Sequence, residues 1–558
     1  MQLDRSFASS ACSMKYSSQD GRSKPLNGHG ATARHIMVYA PVYETIKQQA
    51  ASGPRVETAH ITGKYVEPGA VERRDYQVGL AEQAIRENCI VVLPTGLGKT
   101  AVALQVISHY LDEGRGALFL APTRVLVNQH RQFLGRALTI SDITLVTGED
   151  TVPRRKKAWG GSVICATPEI TRNDIARGMV PLEQFGLVVF DEAHRAVGDY
   201  AYSAIARAVG ENSRMIGMTA TLPSEREKAD EIMGTLLSKS IAQRTEDDPD
   251  VKPYVQETET EWIKVELPPE MKEIQKLLKM ALDERYAALK RCGYDLGSNR
   301  SLSALLRLRM VVLSGNRRAA KPLFTAIRIT YALNIFEAHG VTPFLKFCER
   351  TVKKKGAGVA ELFEEDRNFT GAMARAKAAQ AAGMEHPKIP KLEEAVRGAK
   401  GKALVFTSYR DSVDLIHSKL QAAGINSGIL IGKAGEKGLK QKKQVETVAK
   451  FRDGGYDVLV STRVGEEGLD ISEVNLVVFY DNVPSSIRYV QRRGRTGRKD
   501  AGKLVVLMAK GTIDEAYYWI GRRKITAARG MGDRMNKSLA AGGPAPKAAP
   551  KKGLEGYF

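Results

Sequence analysis

Cysteine is scarce in this sequence: Cys12, Cys89, Cys165, Cys292 and Cys348 are spread over 558 residues with no C-x-x-C pair. That pattern argues against a disulfide framework and against a structural zinc site, and it suits a reducing compartment. No apolar run approaches the roughly 20 residues needed to span a bilayer. The N-terminus also lacks the basic-then-apolar order of a secretory signal. Acidic charge is short as well, 63 Asp and Glu against 84 Lys and Arg, which leaves a formal +21. A field of that sign attracts polyphosphates, nucleic acid foremost and anionic membrane less so. What remains, 43% apolar and 26% charged residues, is a soluble globular composition, and the length suits about three domains rather than one core.

Periodicity divides the chain. Residues 1–58, rich in Ser, Gly and Gln, show no sustained period and read as a disordered extension. From Tyr65 to about Thr245 short apolar runs alternate with helical stretches. The expected strands are Cys89–Leu93, Ala117–Ala121, Ile143–Thr147, Val163–Ala166, Leu187–Phe190 and Met215–Thr219. Continuous apolar runs flanked by helical patterns indicate a parallel sheet buried on both faces. A second such unit runs from about Gly401 to Ala528, with strands at Ala403–Thr407, Gly428–Ile431, Val458–Ser461, Leu476–Tyr480 and Leu504–Met508. The expected fold class is therefore α/β, with two parallel-sheet domains at 59–250 and 400–530 and an α-helical insertion at 251–399. Within the insertion apolar residues recur every three or four positions, as in Ile274, Leu277, Leu278 and Leu282, while Lys276, Lys279, Arg307, Arg309, Arg317, Arg318, Lys321 and Arg328 occupy other positions. Two readings of that basic face stay open, a solvated bundle and a duplex-gripping surface. The segment 531–558 turns to Ala, Gly, Pro and Lys and is expected to be a flexible tail, yet it ends in Leu554, Tyr557 and Phe558.

Two segments nearly 400 residues apart read as halves of one ATPase site. In Leu93-Pro94-Thr95-Gly96-Leu97-Gly98-Lys99-Thr100, glycines let the backbone N–H groups wrap a phosphate. Lys99 then faces the β- and γ-phosphates, and the Thr100 hydroxyl can ligate Mg²⁺. Asp191-Glu192-Ala193-His194 stands at a strand tip: Asp191 suits the metal, Glu192 the attacking water, and His194 coupling to the other domain. Arg74 and Gln77 precede the first helix, where Gln77 can pair with the edge of adenine. The second half is Gln491-Arg492-Arg493-Gly494-Arg495-Thr496-Gly497-Arg498. Arg495 and Arg498, three apart, would share one side of a helical segment and act as arginine fingers, each of the kind that contributes about 10³–10⁵ in rate. Neither half is expected to hydrolyse ATP efficiently alone, so the nucleotide belongs in a cleft between the domains.

Together these motifs resemble the superfamily-2 helicases of the DEAH-box type, whose motor is a pair of RecA-like domains. The resemblance assigns Pro122, Thr123, Arg124, Thr147, Gly148, Thr167, Pro168, Thr407 and Thr462 to the tracked strand. It assigns Thr219 and Thr221 to coupling, Gly465 and Asp470 to the nucleotide, and Gln491 to the catalytic set. Pro94 to Thr100, the stretch Lys437-Gly438-Leu439-Lys440-Gln441, Val464 to Asp470 and the helical insertion are similar to the archaeal Hef and Fanconi-anaemia M-type helicases, over about Tyr65 to Ala528. That likeness implies ATP and Mg²⁺ as cofactors and ATP-driven remodelling of branched or duplex DNA such as forks and four-way junctions. It also implies a cytoplasmic, nucleoid-associated location in an archaeal-type cell. The Glu-Arg-Lys-x-x-x-Asp nuclease signature of many relatives does not occur, so any cutting would fall to a separate nuclease. Lys551 to Phe558 resembles the peptide that plugs into the PCNA sliding clamp, with Lys551 where that pattern has Gln. The rival expectations are an RNA helicase or duplex-RNA-binding ATPase, since the motor motifs are shared, and a non-catalytic clamp-associated scaffold, which the intact Lys99, Asp191, Glu192, Arg495 and Arg498 disfavour.

Overall fold

A computed structural model describes residues 59–256, 258–315, 317–353, 359–432, 441–465, 471, 474–495 and 502–541. The expectations for residues 1–58, 437–440, Asp470, Arg498, Leu554, Tyr557 and Phe558 lie outside the described residues.

The first sheet has seven parallel strands in the order β3-β4-β2-β5-β6-β1-β7. They are β1 (Cys89–Val92), β2 (Gly116–Leu120), β3 (Ile143–Val146), β4 (Val163–Ala166), β5 (Phe185–Asp191), β6 (Arg214–Thr219) and β7 (Ser240–Gln243). The helices between them are α1 (Asp75–Arg86), α2 (Lys99–Asp112), α3 (Arg124–Ala137), α4 (Val152–Ala158), α5 (Pro168–Ala176), α6 (Ala201–Val209) and α7 (Arg226–Thr235). Side chains alternate across the pleat: Cys89 and Val91 enter the core on one face, and Ile90 and Val92 enter the core on the other. Both faces are covered, which is why these strands read as unbroken apolar runs. Because β5, β6 and β1 are neighbours, their C-terminal tips bring Asp191, Thr219 and the loop after Val92 side by side. Open parallel sheets bind ligands at such tips.

The second sheet, β10-β11-β9-β12-β13-β8, is also parallel throughout. Its strands are β8 (Thr258–Val265), β9 (Ala403–Phe406), β10 (Ser427–Leu430), β11 (Val458–Ser461), β12 (Leu476–Phe479) and β13 (Gly502–Ala509). Between β8 and β9 lie α8 (Pro269–Arg291), α9 (Leu302–Gly315), α10 (Arg317–His339), α11 (Val341–Lys353), α12 (Arg367–Ala381) and α13 (Lys388–Arg397). After β9 come α14 (Arg410–Ala422), α15 (Gln441–Arg452), α16 (Ser486–Arg493), α17 (Ile513–Arg529) and α18 (Met531–Ala540).

Three boundaries differ from expectation. Residues 258–265 belong to the second sheet: β8 pairs with β13 along its whole length. Its alternating polar sequence suits an edge strand and hid it. Helix α13 packs Ile389, Leu392 and Val396 into the second domain's core, so the insertion proper is α8 to α12. Finally, 531–540 is no tail. Met531 and Met535 are buried in the first domain's core with Leu539 against it. Asn536 accepts from the Ile241 N–H at 2.9 Å and donates to the Ile241 carbonyl at 2.8 Å. The amide thus satisfies the open edge of β7, which an exposed strand would leave unpaired.

The insertion is a bundle in which α10 and α12 flank α8, with Leu278, Leu289, Phe336, Phe344 and Phe369 in its core. Asp366 caps α12 and pairs with Arg285 of α8 at 2.6 Å in the interior. A second buried pair, Lys388–Asp514 at 2.6 Å, ties α13 to α17, and the same ammonium donates to the Tyr480 carbonyl.

Candidate functional site: a nucleotide cleft between two sheets

The phosphate loop follows β1. Gly96 and Gly98 take φ of 91° and 83°, a region closed to ordinary side chains, and a Cβ on Gly98 would lie 2.4 Å from Gln77 Nε2. Lys99 Nζ donates to the Leu93 carbonyl at 3.1 Å, across the mouth of the loop. Gln77 Nε2 donates to the Leu97 carbonyl at 3.0 Å, so it braces the loop instead of donating to adenine N7. Gln77 Oε1 is buried with no hydrogen-bond partner and is the half of the amide left for an amine donor. Arg74 pairs with Glu72 and lies 4.5 Å over the Tyr254 ring, forming a flat wall beside the loop.

A residue not singled out from sequence sits at the centre. His130 of α3 takes Thr100 Oγ1 at 3.3 Å on Nδ1 and Asp191 Oδ2 at 3.0 Å on Nε2. It therefore joins the two side chains expected to serve Mg²⁺. Its ring lies against Phe119, centroids 4.3 Å apart. Burial would raise the Asp191 carboxyl, but the His130 hydrogen bond and the Lys99 charge hold it below its ordinary value. Asp191 is thus an anion throughout the neutral range. Nothing in a lone histidine within a helical pattern marks this role, because contact with Thr100 and Asp191 comes only from packing α3 on the sheet.

Glu192 has φ 51° and ψ 49°, one of two non-glycine residues at positive φ among the described residues. That conformation costs a non-glycine residue about 1–2 kcal/mol, and it re-aims the chain at the tip of β5. Glu192 Oε2 then lies 3.3 Å from His194 Nδ1, which meets Thr219 Oγ1 at 3.2 Å. Thr219 Oγ1 donates to the Thr221 carbonyl at 2.9 Å. Glu192, His194, Thr219 and Thr221 form one continuous polar chain.

The second domain meets this surface through the end of α16. Gly494 abuts the phosphate loop so closely that a Cβ there would lie 2.7 Å from Thr95 Cβ. Arg493 pairs with Glu246 of the first domain at 3.1 Å. A cavity of about 340 Å³ beside this contact is lined by Pro94, Thr95, Thr221, Trp262, Arg493 and Arg522, among others. Gln491 is buried on α16. Arg492 is enclosed between Phe406 and Phe479, donates to the Asp481 carbonyl and serves the second domain's interior. Helix α16 ends at Arg493, so Arg495 lies past it and not on a helical face as expected. Arg495 is buried, with its carbonyl accepting from Val474 N–H. Gly465 is packed against Ser461 and Phe406 in the second domain.

The strand residues divide. Thr123 caps α3, and Arg124 pairs with Glu149 beside Gly148. Thr147 holds Asp150 through N–H and hydroxyl. Arg124 and Thr147 line a cavity of about 470 Å³ whose far wall is Val445, Val448 and Arg452 of the second domain. Pro122 adjoins them, and Thr167 and Pro168 open α5 at the tip of β4. Thr407 departs from its expected role: it is fully buried and its hydroxyl faces the interior, so it cannot touch a strand in this conformation. Thr462 is nearly as enclosed.

Two parallel sheets, the first carrying a phosphate loop and a DEAH tip and the second meeting it across a cleft, define a nucleic-acid-motor class. Residues 74–229 match the DEAD/DEAH box helicase family, and 387–500 match the helicase conserved C-terminal domain. The solved Hef helicase domain of Pyrococcus furiosus is 37% identical, over 80% of this chain and 97% of that one, with a TM-score of 0.60. The chain belongs to this Hef helicase family. A Methanocaldococcus jannaschii protein named as an ATP-dependent RNA helicase is 35% identical, over 81% of this chain and 60% of that protein. The ATP-dependent DNA helicase MPH1 of Pyricularia oryzae is 34% identical, over 80% of this chain and 44% of that one. The chain therefore spans less than two thirds of these relatives' lengths. No described helix is long and apolar enough to cross a membrane, and no described cluster of His, Cys, Asp and Glu suits a metal by itself.

Proposed function

We propose that this chain is an ATP-driven motor that tracks and remodels branched DNA. The observation that carries the reading is the polar chain from Glu192 through His194 and Thr219 to Thr221, which ends in the lining of a cavity that Thr95 and Gly494 also line. Chemistry at one lobe thereby meets the surface on which the other lobe rests. ATP and Mg²⁺ fit the residues present. Hard oxygen donors, Thr100 and Asp191, converge on His130, a glycine turn leaves a phosphate cradle, and Gln77 Oε1 waits as a buried acceptor. When bound, the metal spreads the charge of the transferring phosphate.

Each residue then has a task. Lys99 leaves the Leu93 carbonyl for phosphate. Glu192 orients the attacking water and accepts its proton, and His194 passes the carboxylate's position to Thr219. Closure of the second domain brings Arg495 and Arg498 toward the transferring phosphate. On the opposite side Arg124, Thr147 and Gly148 hold the backbone of the tracked strand, and the insertion grips duplex.

DNA is preferred over RNA because the fungal MPH1 relatives are named ATP-dependent DNA helicases, against one Methanocaldococcus jannaschii relative named an RNA helicase. ATP turnover measured with single-stranded, duplex, forked and four-way DNA and with duplex RNA decides between them. Forked or four-way DNA should stimulate most, and binding should fall steeply with salt as phosphate contacts release counterions. Stronger stimulation by duplex RNA would overturn the DNA reading. Leu554, Tyr557 and Phe558 are proposed to dock on the sliding clamp; deleting the last eight residues should abolish clamp binding and spare turnover. A nuclease acting on the remodelled DNA is proposed as a further partner.

A further inference from the structure

Helix α9 is apolar on two faces. Leu305 and Val312 are buried in the insertion's core, and the helix packs against α10. On the outside, Leu306, Met310 and Leu313 follow one another at i, i+4 and i+7 with Val311 beside them, and they are 39%, 73%, 53% and 56% exposed. Residues at that spacing share one side of a helix. A surface helix ordinarily turns polar residues outward, so a contiguous apolar stripe here marks a contact surface.

Charge selects what touches it. Between Asp295 and Glu337 the chain has no acidic residue and seven basic ones: Arg300, Arg307, Arg309, Arg317, Arg318, Lys321 and Arg328. Arg307 and Arg309 bracket the stripe and are exposed, and Arg309 lies 5.6 Å over the Phe324 ring. The partner must combine dense negative charge with flat apolar area. Neither end of this chain qualifies: residues 1–58 hold seven Lys and Arg against four Asp and Glu, and residues 542–558 hold three against one. A DNA branch qualifies, because its phosphates stand beside base pairs whose faces are open on one side.

We infer that α9 is a wedge: Met310, flanked by Leu306 and Leu313, seats against the last base pair of a duplex at a branch, while Arg307 and Arg309 hold the adjoining phosphates. This rests on the reading of the chain as a branched-DNA motor and deepens it. Apolar side chains such as Leu and Met partly unstack base steps in other complexes, with a kink in the duplex as the result. The wedge would travel with the second domain, because α10, which carries α9, packs against α17.

The test uses the full chain with a non-hydrolysable ATP analogue and forked DNA carrying 2-aminopurine at the branch-point pair, where unstacking raises fluorescence. The unaltered protein should raise it several-fold. Met310→Ser with Leu313→Ser should remove most of the rise and lower the preference for fork over linear duplex by about tenfold, since one unstacked step is a large energetic difference. Val352→Ser, a comparably exposed apolar change on α11, should leave the rise intact, and thermal unfolding checks that each variant is folded. Arg307→Ala should weaken binding to fork and linear duplex alike and shrink the salt dependence by about one phosphate. A double variant with the original signal and preference overturns the wedge. So does a flat signal combined with α9-dependent binding to anionic phospholipid vesicles. If DNA stimulates turnover and the fluorescence stays flat, the wedge fails alone. If no DNA stimulates turnover, the functional reading fails and takes the wedge with it.

Discussion

The two lobes have the same kind of sheet and opposite kinds of readiness. In the first lobe the reacting groups are already held: His130 joins Thr100 to Asp191, and Glu192 is continuous with Thr219 through His194. In the second lobe part of the arginine segment is held by protein partners. Arg492 is spent on its own domain's interior and Arg493 on Glu246. If the proposed function holds, preorganisation would lower the barrier on one side of the cleft, and motion would deliver the other side. On the proposed reading, apposition of the lobes, not assembly of the first lobe, is the step that binding and release of nucleotide would control.

Glu192→Gln gives the sharpest test of that contrast. It should lower ATP turnover by about 10²–10⁴ without loss of nucleotide binding or of nucleotide-dependent closure, read by fluorescence transfer between labels on the two lobes. Loss of closure together with chemistry would show that the lobes are not divided in this way. Lys388→Met probes the second lobe's attachment to the insertion. An unpaired buried Asp514 should cost about 3–5 kcal/mol of stability, seen by urea unfolding. Because burial pushes Asp514 up to about 6 even beside Lys388, the loss should be partly recovered at pH 5, where the orphaned carboxyl protonates.

Gly494→Val adds side-chain atoms where the packing leaves no room, next to Thr95. The expected result is about a hundredfold loss of turnover from misplacement, with unchanged unfolding and ordinary nucleotide binding to the first lobe. Near-normal turnover would mean that closure takes another path. His339, between α10 and the second sheet, is pushed down to about 4, first by burial, with Lys388 adding to it and Asp481 and Asp411 opposing. Its folded pKa lies below the unfolded one near 6.5. It therefore contributes stability above pH 6.5 that is lost as pH falls toward 4, up to about 3 kcal/mol. Asp514, raised in the same fold, acts in the opposite sense across that range, so the comparison to make is unaltered protein against His339→Gln. From pH 7 toward pH 4 the unaltered protein should lose up to about 3 kcal/mol more stability than His339→Gln; equal losses in the two proteins would refute it. Asn536→Ala should cost least, about 1–3 kcal/mol for two hydrogen bonds at the β7 edge, and should loosen the return of α18 to the first lobe. Hydrogen exchange at Ile241 reports it.

Most of both sheets was legible because doubly buried strands must be apolar runs, and the observed β4 and β11 match the expected spans residue for residue. The strands that escaped were edges. Thr258–Val265 is half polar, and Ser240–Gln243 holds only Ile241 and Ala242 between two polar residues, so neither reads as an apolar run. Helix α18 escaped for another reason. Composition suggested a tail, although Met531, Met535 and Leu539 already stood at i, i+4 and i+8 and needed only a surface to bury them.

The chemistry of the site follows from local sequence: a glycine turn, a lysine and a hydroxyl after one strand, and two carboxylates at the tip of another can do little else together. Those motifs act over a few residues of backbone, where geometry is set by bond rotations and hydrogen bonds close in sequence. What only the tertiary structure decided is which distant groups meet them. His130 between Thr100 and Asp191, Gly494 on Thr95, Gln77 turned to the phosphate loop, and Asn536 on the β7 edge all depend on how helices pack on sheets. Such contacts depend on the summed burial of many side chains, and no short stretch of sequence encodes that sum.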